Sequence, residues 1–439
     1  MKRFFILFVF CICANFAQAQ DIDVSELLHT QPEKALEIIN QALDESPNSE
    51  ELLRLHAAAC EILNQYDKAV AGYNHLTQLS PDEENLWYLL GRNQHKNGQL
   101  HDALRSLNRA TNLNTKYLPA YHTKIQVLLQ LNQDDAALKV SDSTLLIAET
   151  AMTYFLQGEV YSKLKSWQKA GWAYQSATKI DRGFIDAYIA LANISANANK
   201  AGETLEAAEA ALGIDSDSKE ALIARSRGYA LSKDYNYAIE DVAYVITLDP
   251  NNVNARYLRG TYYIETNKPQ EAIKDFEQIL KIQPDYWQAL AGLADCYAKT
   301  GNKTAALEGY KQLLEIADNY SEKDVIVQFA NRQIFELNRE YNPPVITLIE
   351  PPHENFNINA PDNLQSIIIK GKIADESPIK SLTVNGQSIP VTQIGDYYEF
   401  VAIVKLENIH EMQIEATDAY DNVTKETYRL ILTETLENN

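Results

Sequence analysis

Cysteine is scarce in this chain of 439 residues: there are four, and Cys11 and Cys13 both lie within the first twenty residues. The remaining pair, Cys60 and Cys296, is far apart in the sequence. That spacing argues against a disulfide framework and leaves stability to packing. Long apolar runs are also missing. After residue 20 no segment approaches the roughly 20 consecutive apolar residues that a membrane-spanning helix needs. Basic residues are outnumbered, 39 Lys and Arg against 60 Asp and Glu, for a net charge of −21. Such a balance argues against nucleic acid and anionic lipid as partners. The eight histidines are scattered. There is no Gly-rich phosphate loop, His-Glu-x-x-His, Gly-x-Ser-x-Gly or Cys-x-x-Cys. No catalytic constellation emerges, so neither an enzyme nor a cofactor or metal is expected.

What is present begins with an address. Lys2 and Arg3 precede the apolar run Phe4 to Ala14, and Ala17-Gln18-Ala19 reads as a small-x-small cleavage site. Residues 1–19 are therefore expected to be a cleaved signal peptide. Phe10 and Ile12, bulky before Cys11 and Cys13, argue against a lipid anchor. Loss of Lys2 and Arg3 takes the basic count from 39 to 37 against 60 acids, a net charge near −23.

A ladder of small residues follows: Ala35, Ala69, Ala103, Ala137, Ala170, Thr204, Ala238, Ala272 and Ala306. Seven of the eight intervals are 34 residues and one, Ala137 to Ala170, is 33. A strict period of this size marks a small unit copied in tandem. Upstream of each small residue, apolar positions recur at spacings of three and four, as in Trp87-Tyr88-Leu89-Leu90-Gly91 and Tyr154-Phe155-Leu156-Gln157-Gly158. Gly or Asn then punctuates at Asn64, Gly98, Asn132, Asn199, Asn267 and Gly301. A second apolar-periodic stretch carries slots such as Tyr73, Tyr174 and Phe276, and Pro47, Pro81, Pro250 and Pro284 close the unit. Each copy reads as helix–turn–helix. The small residue belongs where two helix axes approach to about 8–10 Å. Trp87, Trp167 and Trp287 read as packing residues, and Trp172 as partly exposed.

The pattern Trp87, Leu90, Gly91, Ala103 and Ala110, repeated as Gly260, Tyr263, Ala272, Phe276 and Pro284, resembles the tetratricopeptide repeat. The resemblance covers roughly residues 21–320, with eight full units starting near Glu50, Glu84, Leu118, Ala151, Ile185, Lys219, Val253 and Trp287. An incomplete unit with its helix near Pro32–Asp44 precedes them. The copy at 185–218 departs most, with Thr204 in the small slot and Ser195 in the aromatic one. Residues 321–341, with Val325, Phe329, Ile334 and Leu337 apolar, are expected to form a capping helix.

At Asn342-Pro343-Pro344 helical spacing stops. Alternation with period two replaces it: Ile367, Ile369, Gly371 and Ile373 on one face, and Tyr398, Phe400, Ala402, Val404 and Leu406 on another. Asn385-Gly386 signals a hairpin between 382–384 and 389–391. Seven short strands over residues 342–439 are expected, as a sandwich. The phrases Gly371-Lys372-Ile373-Ala374-Asp375 and Ala416-Thr417-Asp418-Ala419-Tyr420-Asp421-Asn422 resemble bacterial immunoglobulin-like domains. The expected fold is an all-α superhelical tetratricopeptide solenoid followed by a small all-β immunoglobulin-like sandwich. Asp375, Asp418 and Asp421 suit hairpin-turn geometry better than a calcium site.

In the tetratricopeptide family the first helix of each copy lines a concave face that holds protein or peptide ligands. Carried over, the resemblance points to Tyr88, Arg92 and His95, then His122 and Gln126, then Phe155 and Glu159, then Asn193, Arg227 and Tyr257. His95 and His122, on neighbouring first helices, are placed to face each other. The Lys and Asn pairs one turn apart with which some members clamp a C-terminal carboxylate are absent. The expectation is an exported, non-catalytic scaffold in the periplasm or cell envelope of a Gram-negative bacterium, binding a protein or peptide. The alternative is a glycan- or surface-binding protein whose sandwich presents Tyr397 or Tyr420.

Overall fold

The computed structural model describes residues 24–407 and 409–433. The expected signal peptide lies outside the described residues. Contacts divide the chain into two compact units between Ile282 and Gln283.

The first unit is helical: α1 (Val24–Thr30), α2 (Pro32–Glu45), α3 (Glu50–Ile62), α4 (Tyr66–Leu79), α5 (Glu84–Lys96), α6 (Leu100–Leu113), α7 (Leu118–Gln130), α8 (Asp134–Ile147), α9 (Ala151–Lys163), α10 (Trp167–Ile180), α11 (Ile185–Asn197), α12 (Ala201–Ile214), α13 (Lys219–Leu231), α14 (Tyr235–Leu248), α15 (Val253–Glu265) and α16 (Pro269–Ile282). From α3 on, first helices have 13 residues and second helices 14. Each first helix packs on its own second helix and each second helix on the next first helix. First helices also touch one another across copies, α5 with α7, α7 with α9 and α11 with α13. The helix starts coincide with those expected, and α1 is an additional short helix ahead of α2.

Every member of the small-residue ladder, Thr204 included, is completely buried. Glycine has a related reason. A Cβ on Gly158 would lie 2.5 Å from the Tyr174 ring, and one on Gly260 2.8 Å from the Phe276 ring. The aromatic of the second helix thus rests directly on the backbone of the first. The turns are equally regular. Asn64, Gly98, Asn132, Lys165, Asn199, Lys233 and Asn267 all have positive φ. The following N–H bonds five residues back, as in Gln65 to Cys60 and Ser166 to Tyr161. That is the Schellman C-cap, which satisfies the last carbonyls of the first helix. The 33-residue interval falls between copies, where three residues rather than four link α8 to α9.

Buried polarity repeats as well. Arg225 grips Asp241 through two hydrogen bonds of 2.9 and 2.6 Å, and Arg259 grips Asp275 through bonds of 2.8 and 2.7 Å. Each pair joins the two helices of one hairpin in the fork geometry that suits guanidinium to carboxylate. The copy formed by α11 and α12 is built differently, on Ala192, Ala207 and Ala208. It supplies none of the largest fully buried side chains.

The second unit opens with α17 (Trp287–Lys299), α18 (Lys303–Ile316), a 3₁₀ turn at Ala317–Asn319 and α19 (Lys323–Asn338). The α17–α18 hairpin repeats the same devices, with Gly301 at positive φ and Ala306 fully buried. The α19 helix packs on α18 through Ile326 and Ala330, not through Val325, which is 61% exposed. Of the four apolar residues expected on this face, Phe329 lies 6.0 Å from the Tyr310 ring and Ile334 and Leu337 are half-buried, so Val325 alone departs. Cys60 and Cys296 are both free and buried; burial pushes the Cys296 thiol up to about 11, away from thiolate chemistry.

Ten strand segments follow: β1 (Val345–Glu350), β2 (His353–Glu354), β3 (Asn357–Pro361), β4 (Ser366–Ala374), β5 (Ile379–Val384), β6 (Gln387–Ser388), β7 (Val391–Ile394), β8 (Tyr397–Lys405), β9 (Glu411–Asp418) and β10 (Val423–Thr433). They form two sheets, β1-β4-β8-β7 and β2-β3-β10-β9-β5-β6, antiparallel except for the parallel pair β3–β10. Both sheets contribute to one core, with Ile369, Ile373 and Phe400 from one and Met412, Ile414 and Tyr428 from the other. The three strands beyond the seven expected are β2 and β6, two residues each and too short to show alternation, and β3, which buries only Ile358 and Ala360. The hairpin at Asn385-Gly386 pairs β5 with β6 and reaches Ile389, whose N–H donates to Leu382. Pro390 then ends it, and Val391–Ile394 pairs with β8 in the other sheet. This corrects the expected continuation of the hairpin through 391.

Candidate functional site

The residues expected to line the groove fall into distinct groups. Tyr88 and Arg92 stand one turn apart on α5. The Arg92 guanidinium lies 5.4 Å from the Tyr88 ring centroid and donates to both Glu61 oxygens at 2.7 and 2.8 Å. Tyr88 meets the edge of Tyr117 at 5.5 Å. Burial of Glu61 works against its charge, but Asn93, Arg92 and Lys96 together hold its carboxyl below the usual value. Arg92 is thus part of an inter-copy brace.

The two histidines do not form the facing pair expected. His95 Nε2 is 3.0 Å from Gln130 Oε1, and His122 Nε2 is 3.0 Å from Thr153 Oγ1. Each reaches to a side chain of the following copy. Burial lowers both imidazoles from their ordinary value, so both are neutral near pH 7. Gln126 is exposed on α7. Tyr257 packs 6.2 Å from Phe276.

Phe155, Glu159 and Asn193 do come together. They line one open cavity of about 650 Å³ that runs from α9 across α11 to the start of α13. Phe155 lies 5.0 Å from Phe184 and 5.7 Å from Tyr174. Glu159 accepts a 2.5 Å hydrogen bond from the Tyr174 hydroxyl. Asn193 Oδ1 accepts from Arg227 at 3.0 Å, and Asn197 Oδ1 accepts from the same guanidinium at 2.7 Å. Arg227 also lines a second cavity of about 540 Å³, with Tyr235, Tyr262 and Glu265. Asn197 lines both, so the Asn–Arg bridge marks the boundary between them.

The larger cavity opens at the alanine-rich copy. Its α11 helix contributes Ile189 and Ala190. Trp167, the first residue of α10, also lines it and is 47% exposed. This corrects its reading as a packing residue: the aromatic slot of the first helix was legible, but nothing in the repeat pattern assigns the first position of the second helix. Asp186, Asp215 and Glu220 complete an acidic rim, and no Lys or Arg lines the cavity.

In the second unit, the Asp418 carboxylate closes the β9–β10 turn by accepting from the N–H of Tyr420 and of Asn422, each at 2.8 Å. Asp421 instead pairs with Lys380. Glu340, Asp375 and Asp418 bring carboxylate oxygens within 4.8 Å of one another. Tyr397 lies under Lys372 at 4.0 Å, and Tyr420 packs on Phe335 at 4.7 Å.

Comparison with known proteins places these features. The tetratricopeptide repeat family matches residues 263–322, and the family described as ChAPs (Chs5p-Arf1p-binding proteins) matches residues 22–127. No curated protein matches the chain. Among solved structures, the APC/C hetero-tetramer Cut9-Hcn1 is similar over 62% of this chain at 18% identity, TM-score 0.47, and the chain spans about half, 53%, of that protein's length. A tetratricopeptide repeat protein from Parabacteroides merdae is similar over 57% of this chain and 98% of its own, at 14% identity and TM-score 0.47. YrrB, a TPR protein, is similar over 42% of this chain and 95% of its own, at 21% identity and TM-score 0.36. Period, helix lengths and small-residue ladder agree with that family match: the helical hairpins form a tetratricopeptide-like solenoid, and residues 263–322 match the tetratricopeptide repeat family itself.

Proposed function

We propose that this protein is an exported, non-catalytic scaffold that holds a protein or peptide along the face formed by its first helices. The observation that carries the reading is the cavity crossing α9, α11 and α13, which gathers Phe155, Glu159 and Asn193 from successive first helices. The fold supports it, since tandem hairpins present extended surfaces rather than enclosed pockets. The leader Lys2 to Ala19 supports export, and its Ala-Gln-Ala-Gln ending suits the envelope of a Gram-negative bacterium. The two-sheet unit, with its Asp418-closed turn, is the immunoglobulin-like domain of the proposal, acting as spacer or second contact.

A photo-crosslinking residue at Asn193 or Gln126 in the native cell tests the face. It is expected to capture the same partner from either position, and nothing from Glu206, exposed on the second helix α12. Equal capture from Glu206 counts against a first-helix binding face. Fractionation with N-terminal sequencing of the product tests export; recovery of an intact leader from the cytoplasm counts against it.

A further inference from the structure

The cavity at α9, α11 and α13 has a composition that selects its occupant. Its apolar part is Phe155, Ile189 and the half-exposed Trp167. Its polar part includes Glu159, Asp186, Asp215 and Glu220; no Lys or Arg lines it, and Arg227 reaches its edge through Asn193 and Asn197. Some buried or half-buried carboxylates of the same unit are matched, Glu61 by Arg92, Asp241 by Arg225 and Asp275 by Arg259. Among the described residues, Asp186, Asp215 and Glu220 enter no ion pair, and Glu159 bonds only the neutral Tyr174 hydroxyl. The groove is thus a negative, partly apolar trough. A metal ion is not its natural ligand, because the one described trio of carboxylates close enough to hold one is Glu340, Asp375 and Asp418, in the other unit.

We propose that this groove seats an extended peptide segment of a partner protein that carries an Arg or Lys side chain next to an apolar one. The inference rests on the first-helix binding face proposed above and names the chemistry of its ligand. The cation lies among Glu159, Asp186 and Glu220, while its aliphatic stem and the neighbouring apolar side chain cover Phe155, Ile189 and Trp167. The division of labour follows from magnitudes. Solvent-exposed ion pairs contribute little to affinity, so the carboxylates choose the sign of the ligand and speed its approach. Burial of apolar surface on Trp167 and Phe155 supplies most of the affinity, helped by a cation over an aromatic ring. A long basic side chain suits both demands, having an apolar stem and a charged head. Asn193 aids in holding an extended backbone: its oxygen is committed to Arg227, which leaves its NH₂ to donate to a peptide carbonyl.

The test titrates two fluorescent hexapeptides, alternating Arg–Leu and alternating Glu–Leu, into the full chain and its variants. The Arg–Leu peptide is expected to bind and to quench or shift tryptophan emission. The double variant Asp186→Lys, Glu220→Lys is expected to weaken it at least tenfold. Both positions are exposed, and circular dichroism checks that the helices persist. Trp167→Ala is expected to weaken it by a similar factor. Asp135→Lys, an exposed reversal on α8 outside the groove, is expected to change affinity less than twofold. Equal loss in Asp135→Lys means diffuse attraction to an acidic protein and overturns the site. Equal binding of the Glu–Leu peptide overturns the charge selection. Binding of neither peptide, with partner crosslinking from Asn193 intact, overturns the basic ligand and leaves the scaffold reading standing; loss of that crosslinking removes the scaffold reading itself.

Discussion

Asp375, in the second unit, has surroundings that oppose its charge. Burial raises its carboxyl above the usual aspartate value, and Glu340 alongside raises it further, against hydrogen bonds from the Ser377 N–H and Oγ. Asp375 Oδ2 and Glu340 Oε1 are both buried without a donor. A carboxyl raised in the folded state disfavours folding above that raised value. The penalty fades as pH falls through it toward the unfolded value. Asp375→Asn keeps an acceptor for Ser377 and places an NH₂ beside Glu340. It is expected to stabilise the second unit by about 1 kcal/mol at pH 7 in EDTA, with the gain shrinking toward pH 4. Thermal melts of both proteins across that range check it; an unchanged or lowered midpoint at pH 7 contradicts it. The sequence showed that Asp375 and Asp418 neighbour a turn, and Asp418 does close one. It did not show Glu340, which enters the group only because the chain after α19 returns to the β9–β10 turn, where Asn422 Nδ2 donates to the Glu340 carbonyl at 3.1 Å. Contacts 82 residues apart leave no local pattern.

At the level of the helical hairpin, two kinds of substitution separate what the repeat requires from what it tolerates. The left-handed turn position is Asn or Gly in most copies but Lys165 and Lys233 in two, at φ of 56° and 64°. A lysine there carries a Cβ penalty that glycine avoids. Both lysines are exposed, so Lys165→Gly and Lys233→Gly are each expected to stabilise the first unit by about 0.5–1 kcal/mol. Urea unfolding measures it, and destabilisation by either change contradicts the strain argument. The opposite holds at Gly158 and Gly260, where an added methyl meets Tyr174 or Phe276 inside van der Waals distance. Gly260→Ala is expected to cost about 1–3 kcal/mol, and Gly260→Ala with Phe276→Leu less than the two changes summed. Additive losses in that double-mutant cycle mean the two residues do not share one packing constraint. Register and helix boundaries were legible because the small slot recurs as Ala or Thr throughout. The two lysine turns were not, because lysine carries no turn signal and only its place in the period gives it away. Trp167 was misassigned for a related reason: tryptophan is a packing residue in the first helix, and its exposure depends on which helix presents it.

Across the first unit, stability is a sum of hairpin and interface contributions rather than one shared core, so neighbouring copies need not be equally firm. The α11–α12 copy packs through alanines, while α13 and α14 bury Leu222, Val242 and Val245 and α5 and α7 bury Leu90 and Ile125. Less apolar area leaves water on folding there, at roughly 25 cal/mol per Å². Amide hydrogen exchange is therefore expected to be fastest, among the helices from α3 to α16, in α11 and α12. The cavity lies against the same copy: α11 packs through Ala192 and lines the cavity through Ile189, Ala190 and Asn193. A ligand held across α9, α11 and α13 adds contacts where the copy has fewest, and stabilises in proportion to its saturation. The Arg–Leu peptide is accordingly expected to slow exchange in α11 by more than it slows exchange in α5. Uniform protection along the unit, or slowing confined to α5, contradicts a link between the alanine-rich core and the binding groove. The contrast between α11 and α5 tests this link because α11 alone of the two both packs through alanine and lines the proposed groove.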